Sequence, residues 1–284
     1  MRKIKNLKVK NRIFLAPMLE PNDVVFRLLC KKAGSGLNWT GLTSAMSKQE
    51  IDLDDKPCLQ LFGNSSKDIA VFMEKYDSKV KMWDFNLGCP SKLARELGFG
   101  SCLVNLERIE KILKIMRKNT KKPLCVKIRK TKIACDVLKL AEKYCDCIGI
   151  HPRTLDQGYS GKADLDYALD LRKKTKLPVI YSGDVNDRNF KDLLKKFDYI
   201  MVGRECIGRP CVFAEMTGKK KKCNLDFFDY LKLAEKYKLP WKQIKYQAMS
   251  FTKSVHGAKK LRERLIPVKD VDELKKIYSE FDLE

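Results

Sequence analysis

The stretch Trp83–Leu103, W-D-F-N-L-G-C-P-S-K-L-A-R-E-L-G-F-G-S-C-L, holds the sharpest strand-to-loop transition in the chain. Its first residues have the length and apolar content of a short buried strand, and Gly88-Cys89-Pro90 stops that strand abruptly. Asn86 and Cys89 are left at its carboxyl end, an amide and a thiol on one rim. A cysteine in such a turn, taken alone, is ordinary apolar filler. The stretch gains weight because strands ending in a polar or glycine-bearing rim recur along the chain.

On either side, short apolar runs alternate with longer amphipathic ones. The runs predict strands near Ile13–Ala16, Asn38–Leu42, Cys58–Phe62, Met82–Asn86, Leu124–Ile128, Cys147–Ile150, Val179–Tyr181 and Tyr199–Val202. Between them, apolar residues at three- and four-residue spacing predict helices such as Val24–Ala33, Lys67–Tyr76, Leu106–Asn119, Ala134–Tyr144, Leu165–Lys174 and Asn189–Lys196. Eight alternations imply a parallel α/β sheet closed into a (β/α)8 TIM barrel. A doubly wound open sheet competes, but no G-x-G-x-x-G follows the first strand. After Phe213 the pattern changes. The run Lys219–Lys222 reads as a solvated loop, and helical spacing with breaks at Pro240 and Pro267 then runs to the end. The division expected is a barrel domain over 1–216 and a small all-α domain over 224–284.

Composition narrows the partners. Fifty-nine Lys and Arg against 36 Asp and Glu give a net charge of +23, and such a field attracts polyanions, nucleic acid above all. From Val212 onward the balance is +6, leaving +17 for the rest, so the excess is distributed. Lysine dominates, which suits contact with phosphates better than reading of bases. A lysine-rich proteome would give the same balance. No apolar run is long enough to span a bilayer, and the basic start has no apolar segment behind it, so a cytoplasmic protein with no membrane partner is expected. The eleven cysteines show no framework spacing and no C-x-x-C, and there are two histidines. Reduced thiols, no disulfides and no metal are therefore expected.

If the strands form a barrel, its catalytic face carries Pro17-Met18, Thr43-Ser44, Gln60, Asn86 with Cys89, Lys127 with Arg129, His151 with Arg153, Ser182-Gly183-Asp184 and Gly203-Arg204. Buried Lys127 and His151 need partners. The glycines after the last two strands suit a phosphate grip by backbone amides, although each alone is equally a tight turn.

These residues carry a family resemblance. L-A-P-M at Leu15–Met18, Q-L-F-G at Gln60–Gly63, D-F-N-L-G-C-P at Asp84–Pro90, V-K-I-R at Val126–Arg129, H-P-R-T-L-D-Q-G-Y-S-G-K-A-D at His151–Asp164, S-G-D-V at Ser182–Val185 and M-V-G-R-E-C-I-G-R-P at Met201–Pro210 occur in order. The chain resembles the tRNA-dihydrouridine synthases, flavin enzymes that reduce uridine in tRNA. It departs from their usual pattern at Leu19-Glu20-Pro21, Gly41-Leu42, Pro152 and Ser182.

The resemblance implies FMN, recharged by NADPH or NADH, and tRNA as partner of a monomeric enzyme. It puts Pro17, Met18, Gln60, Lys127 and His151 at the flavin, with Ser182, Gly183, Asp184, Gly203 and Arg204 around its phosphate. Cys89 is then the acid that protonates carbon 5 of uracil while hydride reaches carbon 6. An ordinary thiol, with a pKa of about 8.5, holds its proton at neutral pH. Asn86, Arg153 and Tyr159 are the candidates for holding the substrate, with Cys102 as the alternative acid. The helical domain, with the basic run Val255–Leu265, is implied to hold tRNA; an ordinary solvated amphipathic helix would read the same. Two other readings compete: a flavin barrel acting on a small pyrimidine, as dihydroorotate dehydrogenase does, and a non-catalytic RNA-binding barrel.

Overall fold

The computed structural model describes residues 1–21, 23–219 and 223–281. Of the expected lysine loop, residues 220–222 lie outside the described residues. Eight parallel strands form one sheet: β1 Ile13–Leu15, β2 Thr43–Ser44, β3 Cys58–Phe62, β4 Met82–Leu87, β5 Leu124–Arg129, β6 Cys147–His151, β7 Val179–Tyr181 and β8 Tyr199–Val202. β1 pairs with β8, and the Leu15 and Trp39 amides donate to the Leu37 and Leu15 carbonyls at 2.9 and 3.2 Å, so the sheet closes on itself. Helices α1 Val24–Ala33, α2 Ser66–Tyr76, α3 Lys92–Leu97, α4 Leu106–Lys118, α5 Ala134–Tyr144, α6 Leu165–Lys173, α7 Phe190–Lys196 and α8 Val212–Met216 follow the strands. The architecture is the TIM barrel that the alternation predicted.

Strand periodicity sorts the side chains. In β4, Trp83, Phe85 and Leu87 face the helices in the main apolar cluster, while Met82 shares the barrel interior with Phe14, Cys58, Cys125, Cys147 and Met201. The register places Cys58 beside Met82, Gln60 beside Asp84, Asn86 beside Lys127, and Arg129 beside His151. The barrel interior is thus apolar at its amino end and polar toward its carboxyl end. Ile4, Leu7 and Val9 pack against the apolar layer and cover the floor.

The second strand departs from expectation. Asn38 and Trp39 make only isolated bridges, and regular pairing starts at Thr43. The Gln60 amide donates to the Thr40 hydroxyl at 3.0 Å, and that hydroxyl donates to the Gly41 carbonyl at 2.9 Å. A side chain therefore occupies the place of a ladder carbonyl, and the strand is interrupted over Gly41-Leu42.

Four further helices, α9 Phe227–Lys236, α10 Trp241–Phe251, α11 Ala258–Leu265 and α12 Val271–Phe281, pack on one another and on α1. Phe227 and Tyr278 stack at 4.5 Å in their midst. Asp23 caps α1, its Oδ1 accepting from the Phe26 amide at 2.7 Å, and its Oδ2 accepts from Gln243 and Gln247 of α10 at 3.1 and 2.9 Å. The expectation of no disulfides fails at one pair: Cys211 and Cys223 are bonded, their Cα atoms 5.7 Å apart. Cys211 stands just before α8 and Cys223 shortly before α9, a proximity that the twelve-residue spacing does not announce.

Candidate active site

The end of β4 positions Cys89. Asn86 Oδ1 accepts from the Gly88 and Cys89 amides at 3.0 and 2.8 Å, which turns the chain sharply after Leu87. Asn86 Nδ2 donates to Gln60 Oε1 at 2.7 Å, and Gln60 Nε2 donates to Asp84 Oδ2 at 2.7 Å. The Trp39 indole donates to the same carboxylate oxygen at 2.9 Å. On the other side, the Cys89 carbonyl accepts from the Ser101 amide and hydroxyl at 3.1 and 2.8 Å. Gly100, at φ 59°, lies so close that a Cβ there would be 2.8 Å from the Cys89 carbonyl oxygen. The half-buried thiol donates to Ser91 Oγ at 3.3 Å, and Ser91 in turn caps α3. Cys102, also half-buried, lies on the short turn Gly100–Cys102 next to this clamp.

Beside the thiol loop lie two buried cations. Lys127 on β5 has no hydrogen-bond or ion-pair partner among the described residues; its stem runs past Gly149, where a Cβ would be 3.0 Å from Lys127 Cγ. Burial pulls its pKa down to about 8 against the opposing pull of the Asp84 charge, and Arg129 adds to the lowering. Burial likewise pushes Asp84 up to about 6, opposed by the Gln60 and Trp39 hydrogen bonds and by Lys127. Arg129 is fully buried without a carboxylate partner. Its Nε donates to the Gly88 carbonyl at 2.9 Å and its Nη1 to the Thr154 and Gly158 carbonyls at 2.8 Å each, while Nη2 has no partner among the described residues. Arg129 thus ties the thiol loop to the loop after β6, and one donor edge is left over.

The loop after β6 is held from inside. Arg153, expected at the substrate, is 1% exposed and turned inward. Its donors go to the Ser160 and Gly161 carbonyls at 3.2 and 2.7 Å, to both Asp184 oxygens at 2.7 Å, and to His151 Nε2 at 3.2 Å. A guanidinium taken out of water needs this saturation, which leaves it as a clamp on the loop. Because arginine only donates, His151 Nε2 accepts and the ring proton sits on Nδ1. Burial and the charges of Lys127, Arg129, Arg153 and Arg204 pull His151 down to about 2, so it is neutral at physiological pH. Tyr159 is 61% exposed, stacks 6.1 Å from the His151 ring, and lies between the guanidiniums of Arg129 and Arg204 at 5.7 and 5.8 Å.

Asp184 joins the last two strand ends. Burial raises its pKa, but the Arg153 hydrogen bonds, the Ala163 amide and the nearby Arg204 charge outweigh this and hold it below the ordinary range. Arg204 donates to Asp184 Oδ1 at 2.9 Å and to the Tyr159 carbonyl at 3.2 Å. The Ser182 amide is taken by the Ile150 carbonyl at 2.9 Å, whereas the amides of Gly183, Asp184 and Gly203 donate to no acceptor among the described residues. Half-buried Pro17 and Met18 follow β1, and the Met18 sulfur lies over Gly203.

The structure therefore brings the expected rim residues together, with Arg153 turned into the protein and the Asn86 amide taken up by Gln60 on one side and the Gly88 and Cys89 amides on the other. Asp84, Ser101 and Gly100 were not singled out in the sequence as parts of the site, and Arg129 was placed on the rim with Lys127 but given no role. Arg129 lies two positions after Lys127 and so on the same strand face.

The chain matches the family model described as Dihydrouridine synthase (Dus) over residues 14–282. A "Probable tRNA-dihydrouridine synthase" of Rickettsia conorii is 33% identical, the match covering 78% of this chain and 75% of that one. One with the same description from Aquifex aeolicus is 28% identical over 94% of this chain and 95% of that protein. Among solved structures, the old yellow enzyme homologue from Zymomonas mobilis superposes with a TM-score of 0.58 at 11% identity, covering 84% and 92% of the two chains, a likeness of fold. The matched region begins in the first strand and ends past the last described helix, and the chain belongs to the dihydrouridine synthase family.

Proposed function

We propose that this protein reduces the 5,6 double bond of uridines in tRNA to dihydrouridine, with FMN as the bound redox cofactor and NADPH or NADH as the electron source. Family membership and the descriptions of its relatives support the reaction. The observation that carries the chemistry is the pair of buried cations with no ion-pair partner among the described residues, Lys127 and Arg129, beside a thiol whose backbone is fixed from both sides. Such charges suit a ring system that becomes electron-rich on reduction. The free amides of Gly183, Asp184 and Gly203, near Arg204, suit its phosphate. By this fit Pro17, Met18, Gln60, Lys127 and His151 would hold the flavin ring, and Ser182 would flank the phosphate group.

FMN, when bound, supplies the hydride that no side chain can. The protein's own work is to hold and move one proton and to orient the base. Cys89 Sγ donates its proton to carbon 5 of uracil. Asn86 and Ser101 hold the Cys89 backbone, so the thiol is aimed without reorganisation. Neutral His151 offers its Nδ1 proton, and the free Nη2 edge of Arg129 offers a donor to a uracil carbonyl. Tyr159 provides a ring face for a base drawn from its stack. Arg153 acts as a positioning residue through His151 and the Ser160-Gly161 backbone. The helical unit over 224–284, α11 included, contributes tRNA phosphate contacts beside the barrel over 1–216.

The test is nucleoside mass spectrometry of unmodified tRNA after incubation with protein, FMN and NADPH. The expected result is a gain of two hydrogens on uridine. Cys89→Ala lowers product formation about 100-fold or more while it still binds FMN and oxidises NADPH. No gain with the wild type, or undiminished product with the variant, defeats the respective claim; reduction of a free pyrimidine but not of tRNA favours the small-substrate reading.

A further inference from the structure

At the amino ends of the strands, on the barrel face opposite Cys89, lies a groove of about 1340 Å³ that the reaction does not use. Residues 3–12 cross this face with Ile4, Leu7 and Val9 turned into the barrel floor, so the lysines between them face out. Lys3, Lys5, Lys8, Lys10, Lys56 and Lys81 line the groove, and none of their ammonium groups makes an ion pair or hydrogen bond among the described residues. The one carboxylate in the lining, Asp55, is taken by buried Arg27 at 3.1 Å and by Asn38 at 3.2 Å. The lysines crowd one another: burial lowers the Lys81 pKa, and the charges of Lys31 and Lys10 lower it further.

The lining also says what the ligand is not read by. Its one aromatic ring, Tyr199, is buried with its hydroxyl accepting from the Ile4 amide at 3.4 Å, and its one arginine, Arg12, donates to the Leu194 carbonyl at 3.1 Å. With no stacking platform and no free guanidinium fork, the groove offers mainly flexible ammonium groups, with the side chains of Asn6 and Ser78 among them. This is chemistry for a series of phosphates and not for a base or a ribose.

We infer that this groove is a second RNA contact surface, binding the sugar-phosphate backbone without sequence preference at a point remote from the reacting uridine. The inference takes RNA as the ligand from the proposed function, and it divides the protein's RNA contacts between the catalytic rim and the opposite face of the barrel.

The experiment compares the wild type with the triple variant Lys5→Glu, Lys8→Glu, Lys10→Glu and with a charge-matched control, Lys111→Glu, Lys114→Glu, Lys118→Glu, on the exposed side of α4. Affinity for unmodified tRNA is measured against salt concentration, together with steady-state kinetics. For the groove variant, the slope of log K against log salt is expected to fall by about 2 to 3. KM for tRNA should rise tenfold or more with kcat unchanged, which also reports an intact barrel; the control should move neither as far. A groove variant matching the wild type or the control in slope and KM overturns the inference. So does wild-type RNA affinity combined with lost binding to vesicles of equal parts phosphatidylserine and phosphatidylcholine. Groove-dependent RNA binding by a protein that makes no dihydrouridine sustains the groove and refutes the proposed reaction, whereas dihydrouridine formation with an unmoved slope does the reverse.

Discussion

Lys127 shows at the level of one side chain what the site costs the fold. Its ammonium is held at a pKa of about 8 against an ordinary value of about 10.4, so between these pH values the unfolded chain carries more protons than the folded one. The burial penalty is therefore complete below pH 8 and is relieved as pH climbs through the unfolded value. Lys127→Met should be more stable than the wild type at pH 7, by on the order of 3 kcal/mol, with the gap closing toward pH 10.5. Urea unfolding of both proteins without cofactor at the two pH values checks this. A variant less stable at pH 7 would show that Asp84 stabilises the ammonium more than burial penalises it. The same substitution should abolish uridine reduction, the combination expected where a destabilising charge is kept for chemistry.

The segment from the end of β4 through α3 to Ser101 behaves as one device, and two of its glycines separate its parts. Gly98 ends α3 at φ 66° with open space around its α-carbon, and Gly100, at φ 59°, leans on Cys89. Alanine at either position meets the cost of a left-handed backbone, about 1 kcal/mol. Only Gly100→Ala also displaces Cys89, so it should lose about 100-fold in turnover, as misplacement of a reacting group by about an ångström does. Gly98→Ala should keep its turnover; equal losses in the two would mean that the thiol tolerates displacement. Much of this element was legible in the sequence, since Gly88-Cys89-Pro90 can only end a strand, and the inward positions of β3 to β6 turn from Cys58, Met82, Cys125 and Cys147 to Gln60, Asn86, Lys127 and His151. What was not legible depends on partners distant in sequence. The β2 break needs the Thr40 hydroxyl to meet β3, the inward turn of Arg153 needs Asp184, and the Arg129 tie needs carbonyls from two loops.

For the molecule as a whole, Asp23 joins the two ends of the chain, capping the first helix while holding Gln243 and Gln247 of α10. Gln247 is fully buried, so Asp23→Ala removes a cap and strands an amide. A loss of about 2 to 4 kcal/mol is expected by urea unfolding, with most of it recovered by Asp23→Asn, which keeps an acceptor for the cap. A loss under about 0.5 kcal/mol would mean that the helices dock without this junction. The line of bonds from Trp39 to Cys89 has a larger reach than any one of its members. Ionised Asp84 can only receive, so the Gln60 side chain must turn its nitrogen inward and its oxygen outward. Asn86 must then do the same, and its outward oxygen gathers the two amides that set the thiol loop. The direction of every dipole in the series is thus dictated from the deepest carboxylate, and the aim of the Cys89 sulfur is inherited from a charge it does not touch.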